Sequence, residues 1–294
     1  RVTFFHGEIE AIDLVHKRVG VSHGHEQHCH SLPYDHLVLA LGSTTNFFGI
    51  PGLAQRAFTM KSLSDAIMLR NHLIANLEEA DFECGASLRT GLLNFIVAGG
   101  GFAGVETIAA MNDFLREAIR FFPHLREDRL RVTLVSAGPV ILPELGKKLG
   151  IYAQRKLAEQ QVDIRLNCKV TAVKDQDVTL SDGTTITTNT LVWTAGISPH
   201  ALLDTLPCPK EKGRVLVNEY LEVPGWSGVW ALGDCALVPD RQTGGFHPPT
   251  AQHALREGRV AAQNVLATVR KGWKKPFVYS TIGLLAPIGK RTGV

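Results

Sequence analysis

Hydrophobic and polar positions alternate with different periods along the chain, and three apolar stretches stand out. Leu93–Ala98 is a short buried run with β-branched and aromatic members, the pattern of a strand covered on both faces. After it, Val105, Ile108, Met111, Leu115, Ala118 and Phe122 recur at steps of three and four, which predicts a helix with one apolar face from Ala103 to Phe122. Arg131–Ser136 then supplies the next strand of a βαβ unit. Further on, the pattern predicts a helix over 148–161, short strands over 162–166, 170–173, 178–180 and 185–188, with Asp182-Gly183 as a hairpin turn, and an apolar strand over 191–196. On the amino-terminal side, Val2–Phe5, Ile9–Leu14 and Arg18–Ser22 read as a β-meander, and Leu37–Ser43 as a buried strand ending in small residues. Residues 61–80 read as a helix capped by Ser62 or Ser64. Beyond an extended stretch over 214–223, Gly228–Asp234 is another buried strand. Pro248-Pro249 introduces a long helix from Thr250, for which the pattern predicts a buried face of Ala251, Ala254, Leu255, Gly258, Ala262, Val265, Leu266 and Val269.

Strand alternating with helix implies parallel sheets, and the punctuation between the first strand and helix says what such a sheet holds. Gly99, Gly101 and Gly104 have the dinucleotide-binding spacing. The first makes the tight turn, the second lets backbone approach a pyrophosphate, and the third lets helix pack on strand. The helix start adds free N–H groups and a positive dipole end. In that fingerprint an acid closing the second strand holds the ribose of NAD, yet this strand ends in Ser136. Serine still exchanges hydrogen bonds with a ribose and does not repel a 2′-phosphate, so NADPH stays open beside NADH. Asp234 closes another apolar strand, at the rim where doubly wound sheets bind ligands; the alternative is a capping aspartate for the next turn.

Composition narrows the class. The chain has 294 residues, 45% hydrophobic and 20% charged, enough for about two domains with sizeable cores. A net charge of +3 does not argue for a nucleic-acid partner. The five cysteines are widely spaced, which argues against a zinc ribbon, a disulfide framework or a redox dithiol and suits a reducing compartment. The Ser22–His30 tract, with four histidines, a cysteine and a glutamate, reads as a solvated hairpin tip. Zinc or nickel coordination is the alternative, and no metal is assigned. Arg270–Phe277 mixes basic and aromatic residues, either a membrane-surface contact or the usual cationic helix end. The opening at Arg1, inside an apparent strand, leads us to expect an internal fragment of a longer protein.

Tyr34–Gly52 (YDHLVLALGSTTNFFGIPG), Asn94–Glu106 (NFIVAGGGFAGVE), Leu191–Gly196, Gly228–Asp234 (GVWALGD) and Pro248–Gly258 (PPTAQHALREG) together resemble the type II NADH:quinone oxidoreductases, flavoproteins with two dinucleotide-binding domains. The resemblance implies an α/β fold of two Rossmann-like, glutathione-reductase-like domains, the FAD domain incomplete and discontinuous. The expected division is 1–60 for the first FAD-domain segment, 61–197 for the NAD(P)H domain, and 198–294 for the returning FAD segment and the start of a C-terminal region. It implies that Gly99, Gly101 and Gly104 hold the NADH pyrophosphate with Ser136 at the ribose. Glu106 would lie near the nicotinamide, assisting its placement or proton traffic, and Gly196 would be a cofactor-binding residue. Gly42, Ser43, Gly233 and Asp234 would lie along FAD, Asp234 on the ribityl chain, with Ala251 and Gln252 beside the flavin ring at the quinone site. The helix from Thr250 would aim its N-terminal dipole at the flavin. The implied reaction passes hydride from NADH to FAD and electrons to a membrane quinone. The implied setting is peripheral, on the cytoplasmic side of the membrane, reached through a region beyond Val294, with a homodimer allowed. Rival readings are a relative serving a ferredoxin, a rubredoxin or sulfide, with Cys235 beside Asp234 as the thiol in question, and a non-catalytic nucleotide-binding protein.

Overall fold

A computed structural model describes residues 2–24 and 28–294. The chain divides into two compact units, Thr45–Ile197 with Gly283–Val294, and Arg1–Thr44 with Ser198–Ile282.

The first unit is built on a parallel sheet in the order Thr190–Trp193, Asn94–Ala98, Arg131–Val135, Val162–Arg165. Phe95 to Ala98 are buried, as a strand under helices on both faces requires. Helix Phe102–Ala118 follows the glycine turn and buries Val105, Ile108, Met111 and Leu115, the face that the apolar spacing predicts. Its last predicted turn is instead a 3₁₀ segment, Ile119–Phe121. Helix Leu63–Phe82 starts at Ser62, not Ser64. The Ser62 side chain accepts from the Asp65 amide, and the Asp65 carboxylate accepts from the Ser62 amide, a complete capping box. Two α-helices, the single turn Leu53–Arg56 and Ala86–Leu93, have no counterpart in the sequence reading. Ala86–Leu93 runs directly into the strand, so Leu93 ends a helix rather than opening the strand. Lys147–Glu159 and an antiparallel sheet of Val170–Lys174, Asp177–Leu180 and Thr185–Thr187 complete the unit. Residues 283–294, grouped by sequence with the returning segment, pack here: Ala286 and Ile288 join this core, and the Lys290 amide donates to Asp113 (2.8 Å).

In the second unit Glu8–Asp13, Arg18–His23 and His28–Pro33 form the expected antiparallel meander. Val2–Phe5 lies outside it, with Val2 and Phe4 exposed and the Phe5 ring edge-on to His23 and His30. His23 and His28 face each other near the hairpin end, and the His23 and His30 rings stack. His25, Glu26 and Gln27 of that tract lie outside the described residues. Among the described residues no group of three His, Cys, Asp or Glu is placed to hold a metal. Leu37–Leu39 pairs in parallel with Val229–Ala231 over the fully buried Trp230.

Helix Ala251–Val269 corrects the predicted burial. Leu255 is 70% exposed, and Leu266 and Val269 are also exposed, while the inward face carries His253, Glu257, Ala261 and Asn264. The polar members are buried because each has a bond to make. Asn264 donates to the Tyr220 and Lys275 carbonyls (3.0 and 2.8 Å) and accepts from the Lys275 amide (2.8 Å). Part of the basic tract is therefore structural: Lys274 pairs with Glu222 (2.7 Å) and lies over the Tyr220 ring, whereas Trp273 is exposed. Among the described residues no helix is long and apolar enough to cross a membrane.

Candidate functional site

In the first unit, the strand Asn94–Ala98 ends at Gly99, whose φ of 135° is closed to most side chains. The Gly99 amide donates to the Val135 carbonyl (2.8 Å), continuing the strand pairing into the turn. A Cβ on Gly104 would overlap the Gly99 carbonyl, so the third glycine is what lets the helix sit on the turn. A Cβ on Gly101 would meet nothing, because Gly101 caps the helix facing open space. No side chain caps this helix start, which leaves backbone N–H groups for an anion. Gly99 to Gly101 line a cavity of about 630 Å³ with Ser136, Glu144, Lys169 and Thr194. That is a volume suited to a small-molecule cofactor. Ser136 is buried against Gly100 where the ribose acid is expected. Glu106 sits on the first turns of the helix but does not line this cavity; burial pushes its carboxyl above the ordinary carboxylate range. Gly196 lies just past the lining residues Thr194 and Ala195 and accepts from the Asn46 amide (3.0 Å), with no room for a Cβ beside the Phe48 ring.

In the second unit, the parallel pairing of Leu37–Leu39 with Val229–Ala231 brings two carboxyl ends out together. Gly42 and Gly233 both adopt positive φ, and the Ser43 hydroxyl donates to the Asp234 carboxylate (2.9 Å). Asp234 is held further through its own carbonyl, which accepts from Arg214 Nε (3.0 Å). Glu257 Oε2 accepts from the Gly233 amide (2.7 Å); burial pushes the Glu257 carboxyl up, opposed by that amide bond and by Arg214. Cys235 is fully buried, its Sγ donating to the Leu232 and Leu39 carbonyls, and burial raises the thiol. It is a packing residue, not a redox thiol. Ala251 and Gln252 open the terminal helix. Gln252 Oε1 accepts from the Tyr279 hydroxyl (2.8 Å), and Arg256 lies 4.2 Å over the Tyr279 ring while donating to the Gln252 carbonyl.

Glu257, Arg214, Tyr279 and Thr194 go unseen in the sequence reading. Glu257 has a signal, its i+4 step from His253 and i+4 step to Ala261, but polar residues at that spacing read as a solvent face. Tyr279 has none, since its partner lies 27 positions away.

The chain is 37% identical over 254 residues to an "External alternative NADH-ubiquinone oxidoreductase, mitochondrial" of Yarrowia lipolytica, covering 82% of this chain and 42% of the relative. It is 32% identical over 280 residues to the "Type II NADH:quinone oxidoreductase Ndh" of Mycobacterium tuberculosis, covering 91% of this chain and 59% of the relative. The chain thus spans about half the length of these curated relatives. In fold it matches NDH2 of Plasmodium falciparum solved in complex with NADH, with a TM-score of 0.89 at 18% identity, covering 98% of this chain and 74% of the other. Reduced CoADR-RHD of Bacillus anthracis matches with a TM-score of 0.75 at 22% identity, over 96% of this chain and 46% of the other. The family described as pyridine nucleotide-disulphide oxidoreductase matches residues 1–258, and the chain belongs to it.

Proposed function

We propose that this chain is the nucleotide-handling part of a flavoprotein that oxidises NADH and reduces a membrane quinone. The observation that carries the reading is the uncapped glycine turn opening on a cavity of about 630 Å³. The Ser43–Asp234 pair between two left-handed glycines supports a second cofactor. Relatives named for NADH and quinone support the choice of donor and acceptor.

Bound FAD supplies hydride acceptance from the nicotinamide and electron delivery to the quinone. The chain's own residues bind and orient. The amides after Gly99 and Gly101 hold the pyrophosphate of NADH, and Gly104 keeps the helix close enough for them to do so. Ser136 hydrogen-bonds the ribose without adding a negative charge, so nothing at this position selects NADH against NADPH. Glu106, its proton affinity raised by burial, positions the nicotinamide or holds a proton beside it. Asp234, oriented by Ser43 and by Arg214 on its carbonyl, accepts from the ribityl chain of FAD. Gly42 and Gly233 let backbone approach that chain, and Gly196 does the same near the nicotinamide. Ala251 and Gln252 face the flavin ring and quinone, with Tyr279 fixing the Gln252 amide. The whole protein works as a peripheral enzyme on the cytoplasmic side of its membrane.

Purified full-length protein tests this directly. NADH consumption should require a soluble quinone and should not be sustained by a ferredoxin. Turnover with ferredoxin and none with quinone would overturn the reading.

A further inference from the structure

The first unit holds a second polar recess, at the opposite end of the sheet from the glycine turn. Asn94 and Arg131 are paired first residues of neighbouring parallel strands. They help line a cavity of about 450 Å³ whose walls carry Arg89, Arg126, Arg129, Arg131 and His124. Among the described residues no carboxylate lines it. The acids nearby are already engaged. Asp128 takes Arg126 (2.8 and 3.1 Å), and Asp81 accepts from the His124 amide and faces its ring. Arg131 is steered by its Nη1, which donates to the Asp128 and Leu130 carbonyls (2.7 and 3.0 Å). Arg89 Nε is buried with no acceptor.

We infer that this recess is a binding site for a compact polyphosphate anion, separate from the dinucleotide site. Asp128 answers Arg126, but Arg89, Arg129 and Arg131 bring three further guanidinium groups to a cavity that, among the described residues, no carboxylate lines, and an anion there offsets their mutual repulsion. A buried guanidinium N–H left without an acceptor is a costly arrangement that a ligand oxygen relieves. Arginine rather than lysine at all four positions suits bidentate recognition of phosphate oxygens. The cavity lies in the range that holds a small-molecule ligand, and three cations beyond the Arg126–Asp128 pair exceed what one phosphate group needs, so the fit is to two or more linked phosphates. The ligand is not NADH held at the glycine turn, because that turn sits at the carboxyl ends of the same strands.

Inorganic tripolyphosphate is the probe, titrated calorimetrically into full-length flavoprotein saturated with NAD⁺, which removes the glycine turn from competition. One saturable site is expected, weakened at least about tenfold in Arg89→Gln/Arg131→Gln and within about twofold of wild type in the remote exposed control Arg155→Gln. Arginine modification of the wild-type protein with phenylglyoxal gives a reading that needs no variant, with tripolyphosphate expected to protect Arg89 and Arg131. No saturable binding, equal affinity in the double variant, or no protection of those two arginines would overturn the inference. So would capture by anionic phospholipid vesicles without binding of free tripolyphosphate, since the recess would then serve a lipid headgroup.

Discussion

Two helices of similar length, one in each unit, bury faces of different character. Phe102–Ala118 turns a mainly apolar stripe of Val105, Ile108, Met111 and Leu115 inward, with Asn112 buried beside it and donating to the Gln160 carbonyl (3.0 Å). Ala251–Val269 turns His253, Glu257 and Asn264 inward and leaves Leu255, Leu266 and Val269 outside. The first is held by packing, so it is designed like any core helix. The second is a clamp: Glu257 fixes the Gly233 amide of the Asp234 turn, and Asn264 ties down the chain at Tyr220 and Lys275. A helix that must organise loops spends its inner face on polar bonds, and hydropathy alone then points the wrong way.

The sharpest break in the packed helix is Gly104→Val. Its Cβ would overlap the Gly99 carbonyl, so we expect a loss of about 4 kcal/mol or more in urea unfolding, with the turn dislodged. In the clamp helix, Asn264→Leu is the decisive substitution. If burial there followed hydropathy, leucine would stabilise; stranding two carbonyls and an amide should instead cost about 3 kcal/mol by the same measurement.

Acid should act on the clamp through its histidines. Burial holds both His247 and His253 below the ordinary value of 6.5, with Asp240 opposing and Arg256 adding to the effect on His253. The unfolded chain therefore takes up protons that the folded chain refuses. Their contribution to stability is full above 6.5 and falls as pH drops through that value toward the folded one. The urea midpoint of His253→Gln should consequently fall less than that of wild type between about pH 7.5 and 5.5. The smallest effect belongs to the outer face, where Leu255→Ser should stay within about 0.5 kcal/mol of wild type.

This contrast also explains what was legible. Asn94–Ala118 could be read closely because strand, turn and helix each obey a local rule there, down to the buried face of Val105 to Leu115, whereas both outer ends of the predicted stretch fold differently. The helix Ala86–Leu93 escaped because it is short, carries Gly91 inside it and has no capping side chain. Val2–Phe5 reads as a strand from its apolar run alone, yet a run becomes a strand only where a neighbour pairs with it. Among the site residues, the glycines and Asp234 announce themselves by position at strand ends. Tyr279, Arg214 and Glu257 act through partners 27, 20 and 24 positions away, distances at which sequence carries no spacing signal.

The central claim is that the open side of the Gly99–Gly104 turn receives the nicotinamide nucleotide. Gly101→Val tests it most directly, because Gly101 has an ordinary φ of −82° and its Cβ would enter open space, leaving the fold unharmed. The measurement is single-turnover reduction of bound flavin by NADH in the full-length protein. The account predicts wild-type melting and flavin content, with the NADH concentration for half-maximal reduction raised about a hundredfold or more. An unchanged NADH dependence in a well-folded Gly101→Val protein would contradict it.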